Sequence, residues 1–278
     1  MNDEVVAVQD ERDPVAKARR ATDLLTSYQG VITELSRVRR EAVEELIANG
    51  MTHADIARIL GTSRGRVSQL VTSGPPPERL FLGTDTLTVA LGGKLESGKE
   101  APGSVVAQED LDNFEQLRSL AASMKLEARY EVIPPPGTVR LNRDNLIVVC
   151  GPRLSPLIAQ VLEADDHLRF EKDSAWHLID VGAAQEHRSP MDTGVSGDVG
   201  YLARLPRPDG KGTFLYIAGI HAIGANGVIH YLKENLAEVY GEVRTRRFST
   251  LVACDFDPET RQILGSRRVA PFYKHEGN

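Results

Sequence analysis

The chain has 278 residues, of which 41% are hydrophobic and 26% charged, with a formal net charge of −6. This composition is typical of a soluble globular protein with room for one small domain and one of ordinary size. No apolar run reaches the length needed to cross a bilayer, and the first twenty residues lack an apolar signal-peptide core. We therefore expect a cytoplasmic protein without membrane contacts.

Residues 1–13 are charged and are expected to fray. Apolar residues then recur at helical spacing from Pro14 until Gly30, which is expected to end a first helix. A second helix is predicted to end at Asn49-Gly50. The face it would bury comprises Ile32, Leu35, Val38, Ala42, Val43, Leu46 and Ile47. The first helix is a candidate seam for a homodimer.

Residues 52–71 have the spacing of a helix-turn-helix. Ala57 is small where two helices must cross closely, and Gly61 follows where the turn requires a positive φ that glycine adopts at little cost. Val67 then provides an apolar contact from the second helix. Further buried contacts are expected from Ile56, Leu60 and Leu70. With the two preceding helices, this pair predicts a four-helix N-terminal domain.

Both helices of this pair begin at residues suited to capping. Thr52 can cap the first helix, with Asp55 three residues on, and Ser63 can cap the second. In helix-turn-helix proteins the N-terminal part of the second helix reads base edges, for which Arg and Gln offer two-pronged hydrogen bonds. The candidate contacts to double-stranded DNA are Thr52, Ser63, Arg64, Arg66, Ser68 and Gln69. The alternative is a small helical bundle with a polar surface.

The net charge of −6 opposes DNA binding, because affinity depends largely on Lys and Arg neutralising phosphates. Several arginines nevertheless lie in the N-terminal helical part, namely Arg37, Arg39, Arg40, Arg58, Arg64 and Arg66. We expect modest, salt-sensitive affinity for each copy, so that two copies act together on paired half-sites.

Residues 39–72 resemble bacterial helix-turn-helix transcription regulators and the promoter-reading end of sigma factors. The second resemblance rests on Gly65 to Leu70, with the sequence GRVSQL. It implies DNA recognition by the helix that starts at Ser63. It does not imply polymerase initiation, because no second, promoter-opening domain is evident.

The fold class predicted is α/β, with an all-α helix-turn-helix domain (1–72), a Pro-rich linker (73–78) and an open Rossmann-like domain (79–278). Three consecutive prolines make the linker stiff. Beyond it, strand and helix patterns alternate. The expected strands are 87–91, 128–133, 146–150, 176–181, 201–205, 214–218, 248–253 and a last stretch near Val269. The expected helices are 109–124, with Leu111, Phe114, Leu117 and Leu120 inward, one capped by Ser155, and 227–236.

Two loops that join a strand to a helix are candidates for binding an anionic effector. Ligands in open α/β sheets bind at the carboxyl ends of strands, where both loops would lie. Glycines there let a backbone approach a ligand, although glycines at such junctions often serve packing alone. The candidates are Gly151, Arg153 and Ser155 in the first loop, Gly219, His221, Gly224 and Asn226 in the second, and Gly92 and Gly93 beside Lys94 as a third wall.

Motifs for catalysis, metals and cofactors are lacking. The chain has no Walker motif, no nucleophile elbow, no dinucleotide fingerprint and no metal-ligand spacing. We therefore expect no metal and no cofactor. Cys150 and Cys254 are expected to be buried free thiols. His221, Asp180, Asp192 and Asp198 form no recognisable catalytic pattern, and His221 and His230 are expected to make structural hydrogen bonds.

The second domain loosely resembles the α/β sensor modules of bacterial regulators, including uncharacterised actinobacterial proteins with the same order of parts. That resemblance implies a ligand-gated regulator without naming the ligand. The leading interpretation is a dimeric, effector-controlled transcription regulator. A nucleotide- or sugar-processing enzyme with a helical targeting domain and a ligand-free interaction module remain alternatives.

Overall fold

The computed structural model describes residues 3–72, 76–135 and 137–275. The chain divides into two compact units, Met1–Pro77 and Glu78–Asn278. Residues 73–75, the first half of the predicted linker, lie outside the described residues. Among the described residues, no helix combines the length and the apolar character that crossing a bilayer requires.

The N-terminal unit contains four described helices, but their boundaries differ from the prediction. They are α1 (Asp3–Gln9), α2 (Pro14–Ala48), α3 (His53–Ile59) and α4 (Arg64–Thr72). Helix α1 lies in the segment that was expected to fray. Gly30 does not end a helix, because α2 runs for 35 residues in all, from Pro14 to Ala48. A single glycine inside a helix costs only about 1 kcal/mol, which flanking helical residues offset. Asp13 caps α2 by accepting from the N–H groups of Val15 and Ala16.

The core of this unit is small and lies at the C-terminal end of α2. Val43, Ile56, Ala57 and Val67 are buried, with Leu46, Ile47, Met51 and Val71 packed around them. The predicted inward face of Ile32, Leu35 and Val38 is instead exposed, at 55%, 62% and 47%. Leu60 is also exposed, and Leu70 is only half-buried. The reason is that only the C-terminal part of α2 reaches α3 and α4.

The second unit is an α/β domain, as predicted. Its helices are α5 (Arg79–Leu82), α6 (Gln108–Ser123), α7 (Pro156–Leu162) and α8 (Ala222–Val243). Its strands are β1 (Leu87–Gly92), β2 (Lys94–Leu95), β3 (Ser104–Val105), β4 (Ala128–Ile133), β5 (Leu146–Val149), β6 (Leu168–Lys172), β7 (Trp176–Asp180), β8 (Gln185–Arg188), β9 (Gly197–Pro206), β10 (Thr213–Gly219), β11 (Phe248–Phe256), β12 (Ile263–Arg268) and β13 (Tyr273–Lys274).

The main sheet is mixed, which refines the expected open Rossmann-like arrangement. Its order is β12-β11-β9-β10-β5-β1-β4, with β13 also paired to β11. Strands β4, β1, β5 and β10 are parallel neighbours, whereas β9, β11 and β12 pair antiparallel. A short connection at 207–212 joins β9 to β10, and so short a link permits only antiparallel pairing. Strand β7, expected in the main sheet, belongs to a separate sheet of order β6-β7-β8.

Strand β5 is covered on both faces of the main sheet. Its four residues are all buried. Ile147 and Val149 join the core with α6 and α8, whereas Leu146 and Val148 join the opposite core with α7 and the small sheet. A continuous apolar run is the pattern of a parallel strand buried on both faces. Strands β5 and β10 therefore end side by side in the middle of the sheet.

The turn at Gly61 generates a stability prediction. Gly61 has φ +61, so Gly61→Ala should destabilise the chain by about 1–2 kcal/mol through the strain of a left-handed alanine. Gly65→Ala is the matched control, because Gly65 lies inside α4 at an exposed helical position and the change should stabilise by about 0.5–1 kcal/mol. Urea unfolding followed by circular dichroism measures both. A Gly61→Ala chain as stable as the control would contradict the assignment.

Candidate functional site

The two helices of the helix-turn-helix are capped as predicted. Thr52 Oγ1 accepts from the Asp55 N–H at 3.2 Å and donates to Asp55 Oδ2 at 2.6 Å. The Thr52 hydrogen bond and the Arg58 ion pair hold the pKa of Asp55 below its usual range. Ser63 Oγ accepts from the Arg66 N–H at 3.1 Å. These bonds fix where α3 and α4 begin.

Helix α4 carries four of the six predicted DNA contacts. Arg64, Arg66 and Gln69 are exposed, whereas Ser68 is half-buried. Arg66 Nη1 donates to Gln69 Oε1 at 3.3 Å, so the two side chains lie together on one surface. The Thr52 hydroxyl already donates one hydrogen bond and accepts another in capping α3. It is therefore the weakest candidate for a DNA contact.

The charged side chains of α4 are all positive although the chain is acidic overall. Helix α4 contains two arginines and no acidic residue. Arg58 on α3 is 77% exposed but forms an ion pair with Asp55, so this pair adds no net charge. Negative phosphates are attracted to the local field, which matters more at contact distance than the summed charge of −6.

The two predicted loops meet in one recess at the carboxyl ends of β5 and β10. Four of the predicted ligand residues line it, namely Gly151, Arg153, Gly219 and His221. The recess is narrow, with free space of about 40 Å³, or about 520 Å³ when its open mouth is included. The remaining walls include Lys94, Asp110, Cys150, Phe170, Trp176 and Ala222.

The other predicted ligand residues do not line this recess. If Gly92 carried a Cβ, that atom would lie only 2.7 Å from Leu154 Cδ1, and a Cβ on Gly224 would lie 2.5 Å from Asp198 Oδ2. Both glycines therefore allow neighbouring protein groups to pack closely. Gly93 likewise packs against the backbone of Ile133. Ser155 is buried, donates to the Gly137 carbonyl at 2.6 Å and caps α7.

Asn226 also lies away from the recess. It lines a separate groove between α6, α8 and the loop that joins β11 to β12. The Asn226 side chain is buried, and its Oδ1 has no hydrogen-bond partner among the described residues.

Three residues of the recess were not predicted as ligand contacts: Asp110, Phe170 and Trp176. A signal for Asp110 existed, because it precedes Phe114 by four residues and Leu117 by seven, on the inward face of α6. Leu111, which was expected inward, is exposed instead. A carboxylate on an apolar helix face is unusual enough to indicate a site. Phe170 and Trp176 come from the small sheet, whose position the sequence did not reveal.

Asp110 is the electrostatically unusual group of the recess. Burial raises the pKa of Asp110 to about 6, against the opposing influence of Lys94 and Arg153. Among the described residues, no cationic side chain lies within ion-pair distance of its carboxylate. Burial also raises the pKa of the Cys150 thiol to about 12. Both cysteines are free and buried, as predicted, and neither is suited to act as a thiolate nucleophile.

An acid–base pair lies at the rim of the recess. The ring nitrogen Nε2 of His221 is 2.9 Å from Asp192 Oδ1. The backbone N–H of His221 donates to Asp198 Oδ2 at 2.9 Å. Burial raises the pKa of Asp198. These bonds confirm the structural hydrogen bonding expected for His221. The described lining of the recess also includes the Lys94 amine, the Asp110 carboxylate and the Cys150 thiol.

A comparison with known protein families finds a match to sigma-70, region 4, at residues 25–73. Comparisons with curated proteins and with solved structures give no match. The matched segment spans α3, α4 and most of α2, which are the elements that build the capped helix-turn-helix. The N-terminal unit thus carries a DNA-binding helix-turn-helix similar to that region, as expected of a bacterial regulator.

Proposed function

We propose that the protein is a sequence-specific transcription regulator that reads DNA with α4. The observation that carries the proposal is the arginine surface of α4, held outward by the Gly61 turn and the buried contacts of Ala57 and Val67. In such motifs the second helix enters the major groove with its N-terminal residues against base edges. Arg64, Arg66, Ser68 and Gln69 supply donors and acceptors of the kind that distinguish base pairs there.

The regulator acts as a homodimer in this proposal, with α2 as the seam. The stretch of α2 from Leu25 to Val38 exposes five large aliphatic side chains among those described: Leu25, Val31, Ile32, Leu35 and Val38. Leu25 and Ile32 are seven residues apart, as are Val31 and Val38, so they line one side of the helix, as in a coiled coil. A lone chain would leave this apolar stripe in water, whereas a second copy would cover it and supply the second DNA reader.

The recess at the ends of β5 and β10 binds the effector in this proposal. Arg153 and Lys94 bring positive charge to a site where strand ends and glycine backbones converge. The buried Asp110 carboxylate is kept there at the expense of folding stability, which is a common property of binding sites. The effector changes DNA affinity only to the extent that its own affinity differs between the DNA-competent state and the state that does not bind DNA.

The DNA-reading role of Arg66 can be tested with duplexes selected from a random-sequence pool. Arg66→Ala should weaken binding to the selected duplex by about 1–3 kcal/mol, because a base contact is lost. Arg19→Ala, on an exposed part of α2 outside the segment similar to sigma-70 region 4, removes the same charge and should leave affinity nearly unchanged. Gel-shift titration measures both. Equal effects of the two changes would remove Arg66 from the interface.

The seam can be tested by placing a charge in it. Leu35→Glu should give a monomer by sedimentation velocity while the wild-type chain sediments as a dimer, because a buried, unpaired carboxylate opposes association. Leu35 is exposed in the single chain, so the helical circular dichroism should persist. Val15→Glu is the control, since Val15 is 60% exposed but precedes the stripe. A monomeric wild-type chain would contradict the proposed seam.

The buried carboxylate predicts a pH-dependent stability. Because the pKa of Asp110 is raised from 3.8 to about 6 in the folded protein, its contribution is most favourable below about pH 4 and is lost as pH rises through about 6. Asp110→Asn should therefore stabilise the protein near neutral pH, by up to about 3 kcal/mol. Urea unfolding at several pH values measures this.

The matched control for this measurement is Asp112→Asn, which removes an exposed carboxylate of the same helix. It should leave the pH dependence as in the wild type. If the stability gained by Asp110→Asn over the wild type does not increase between pH 4 and 6, or if the variant loses stability near neutral pH, Asp110 is not a costly buried charge.

A further inference from the structure

The recess shares an aromatic wall with a second, wider cleft. Pro152, Phe170 and Trp176 line both spaces. The second cleft has a volume of about 530 Å³, within the range of small-molecule sites. A molecule that occupies both spaces would therefore contact this wall.

The narrow recess is suited to a single anionic group. Arg153 and Lys94 carry positive charge into it, and Ala222, the first residue of the 22-residue helix α8, lies on its lining. The unpaired N–H groups at such a helix start attract anions. The free space of about 40 Å³ excludes anything larger than a compact group without opening of the walls.

Asp110 gives the recess a hydrogen-bond acceptor as well. It is only 7% exposed and lies on the lining. The Asn113 side chain on the same helix can donate a hydrogen bond to this carboxylate, and no cation lies within ion-pair distance of it among the described residues. A ligand can therefore bring further donors to it, such as sugar hydroxyl groups. An anion in the narrow part of the recess, joined to a sugar in its open mouth, meets both requirements.

The wider cleft is acidic on balance. Glu163 and Asp166 are exposed carboxylates on its lining, which also includes the buried Asp165 and one cation, Arg169. Asp165 already accepts hydrogen bonds from Tyr201 and from backbone N–H groups, so the two exposed carboxylates are the available acceptors. Carboxylates repel a phosphate but accept hydrogen bonds from amino groups. The Trp176 ring offers a flat surface for stacking, with the Lys172 ammonium 6.0 Å from its centroid.

We propose that the effector is a nucleoside monophosphate whose base carries an exocyclic amino group. Its phosphate binds Arg153 and Lys94 in the recess, its ribose hydroxyls donate to Asp110, and its base stacks on Trp176 with the amino group toward the cleft carboxylates. This inference rests on the proposed role of the α/β unit as the sensor, and it narrows the effector from small anions in general to nucleotides.

Trp176 is the one tryptophan of the chain, so its fluorescence reports this wall alone. AMP should quench it saturably in the full-length protein. Adenosine lacks the phosphate and ribose 5-phosphate lacks the base, so each should bind at least about tenfold more weakly. UMP, whose base has no amino group, should bind at least about fivefold more weakly than AMP, GMP and CMP.

Variants measured by calorimetry assign the two ends of the ligand. Arg153→Ala and Trp176→Ala should each lower AMP affinity at least about tenfold. Trp176→Phe keeps an aromatic surface and should retain affinity to within about threefold. Arg118→Ala removes an exposed arginine of α6 that does not line the recess, and it should bind AMP like the wild type.

Two results would overturn the proposal: no quenching by any of the four nucleotides, or equal affinity for AMP and ribose 5-phosphate. DNA binding of the same preparation is measured without nucleotide, and Arg66→Ala should lose it while still binding AMP. Failure of the nucleotide site therefore leaves the DNA-binding result standing, so the two failures are distinguishable.

Discussion

Two short helices keep a fixed crossing angle only when the turn between them and their contact surface permit no other arrangement. In this chain Gly61 provides a left-handed turn, and Ala57 and Val67 fill a contact that is almost fully buried. The caps at Thr52 and Ser63 then set where each helix begins. The arginines of α4 need no further support to face outward, because every buried position of the pair is already occupied by apolar residues. DNA recognition follows from this small, rigid arrangement, since a reader must hold its side chains in a fixed register to distinguish bases.

The second unit solves a different problem, which is how to build a polar recess inside an otherwise apolar sheet. Strands β5 and β10 are buried on both faces, so polar groups can gather only where the strands end. The recess forms there, with backbone from the Gly151 and Gly219 loops and charge from Arg153 and Lys94. Asp110 opposes stability because its carboxylate is buried, and a ligand that donates hydrogen bonds to it would offset that cost. In the proposed regulator, the same recess is both a weak point of the fold and the place where the effector binds.

Local patterns predicted the features that depend on neighbouring residues. The caps at Thr52, Ser63 and Ser155, the positive φ of Gly61 and the strand 128–133 all follow from short-range sterics and hydrogen bonding. Long-range features were not predictable in this way. The outward face of α2 looked like core because periodicity shows which residues share a face but not whether anything covers it. The antiparallel half of the sheet and the separate β6-β7-β8 sheet depend on strand pairing that no single segment encodes. Asp110 was overlooked for a related reason, since Leu111 was assigned to the inward face that Asp110 occupies.

Methylation interference can show whether α4 reads base edges from the major groove. On a selected duplex, methylation of guanine N7 places a group in the major groove, where an arginine would bind, whereas methylation of adenine N3 alters only the minor groove. If α4 lies in the major groove, N7 methylation at specific guanines should prevent binding, while N3 methylation at the same site should be tolerated. Binding that is insensitive to N7 methylation, or that is blocked from the minor groove instead, would contradict major-groove reading by α4.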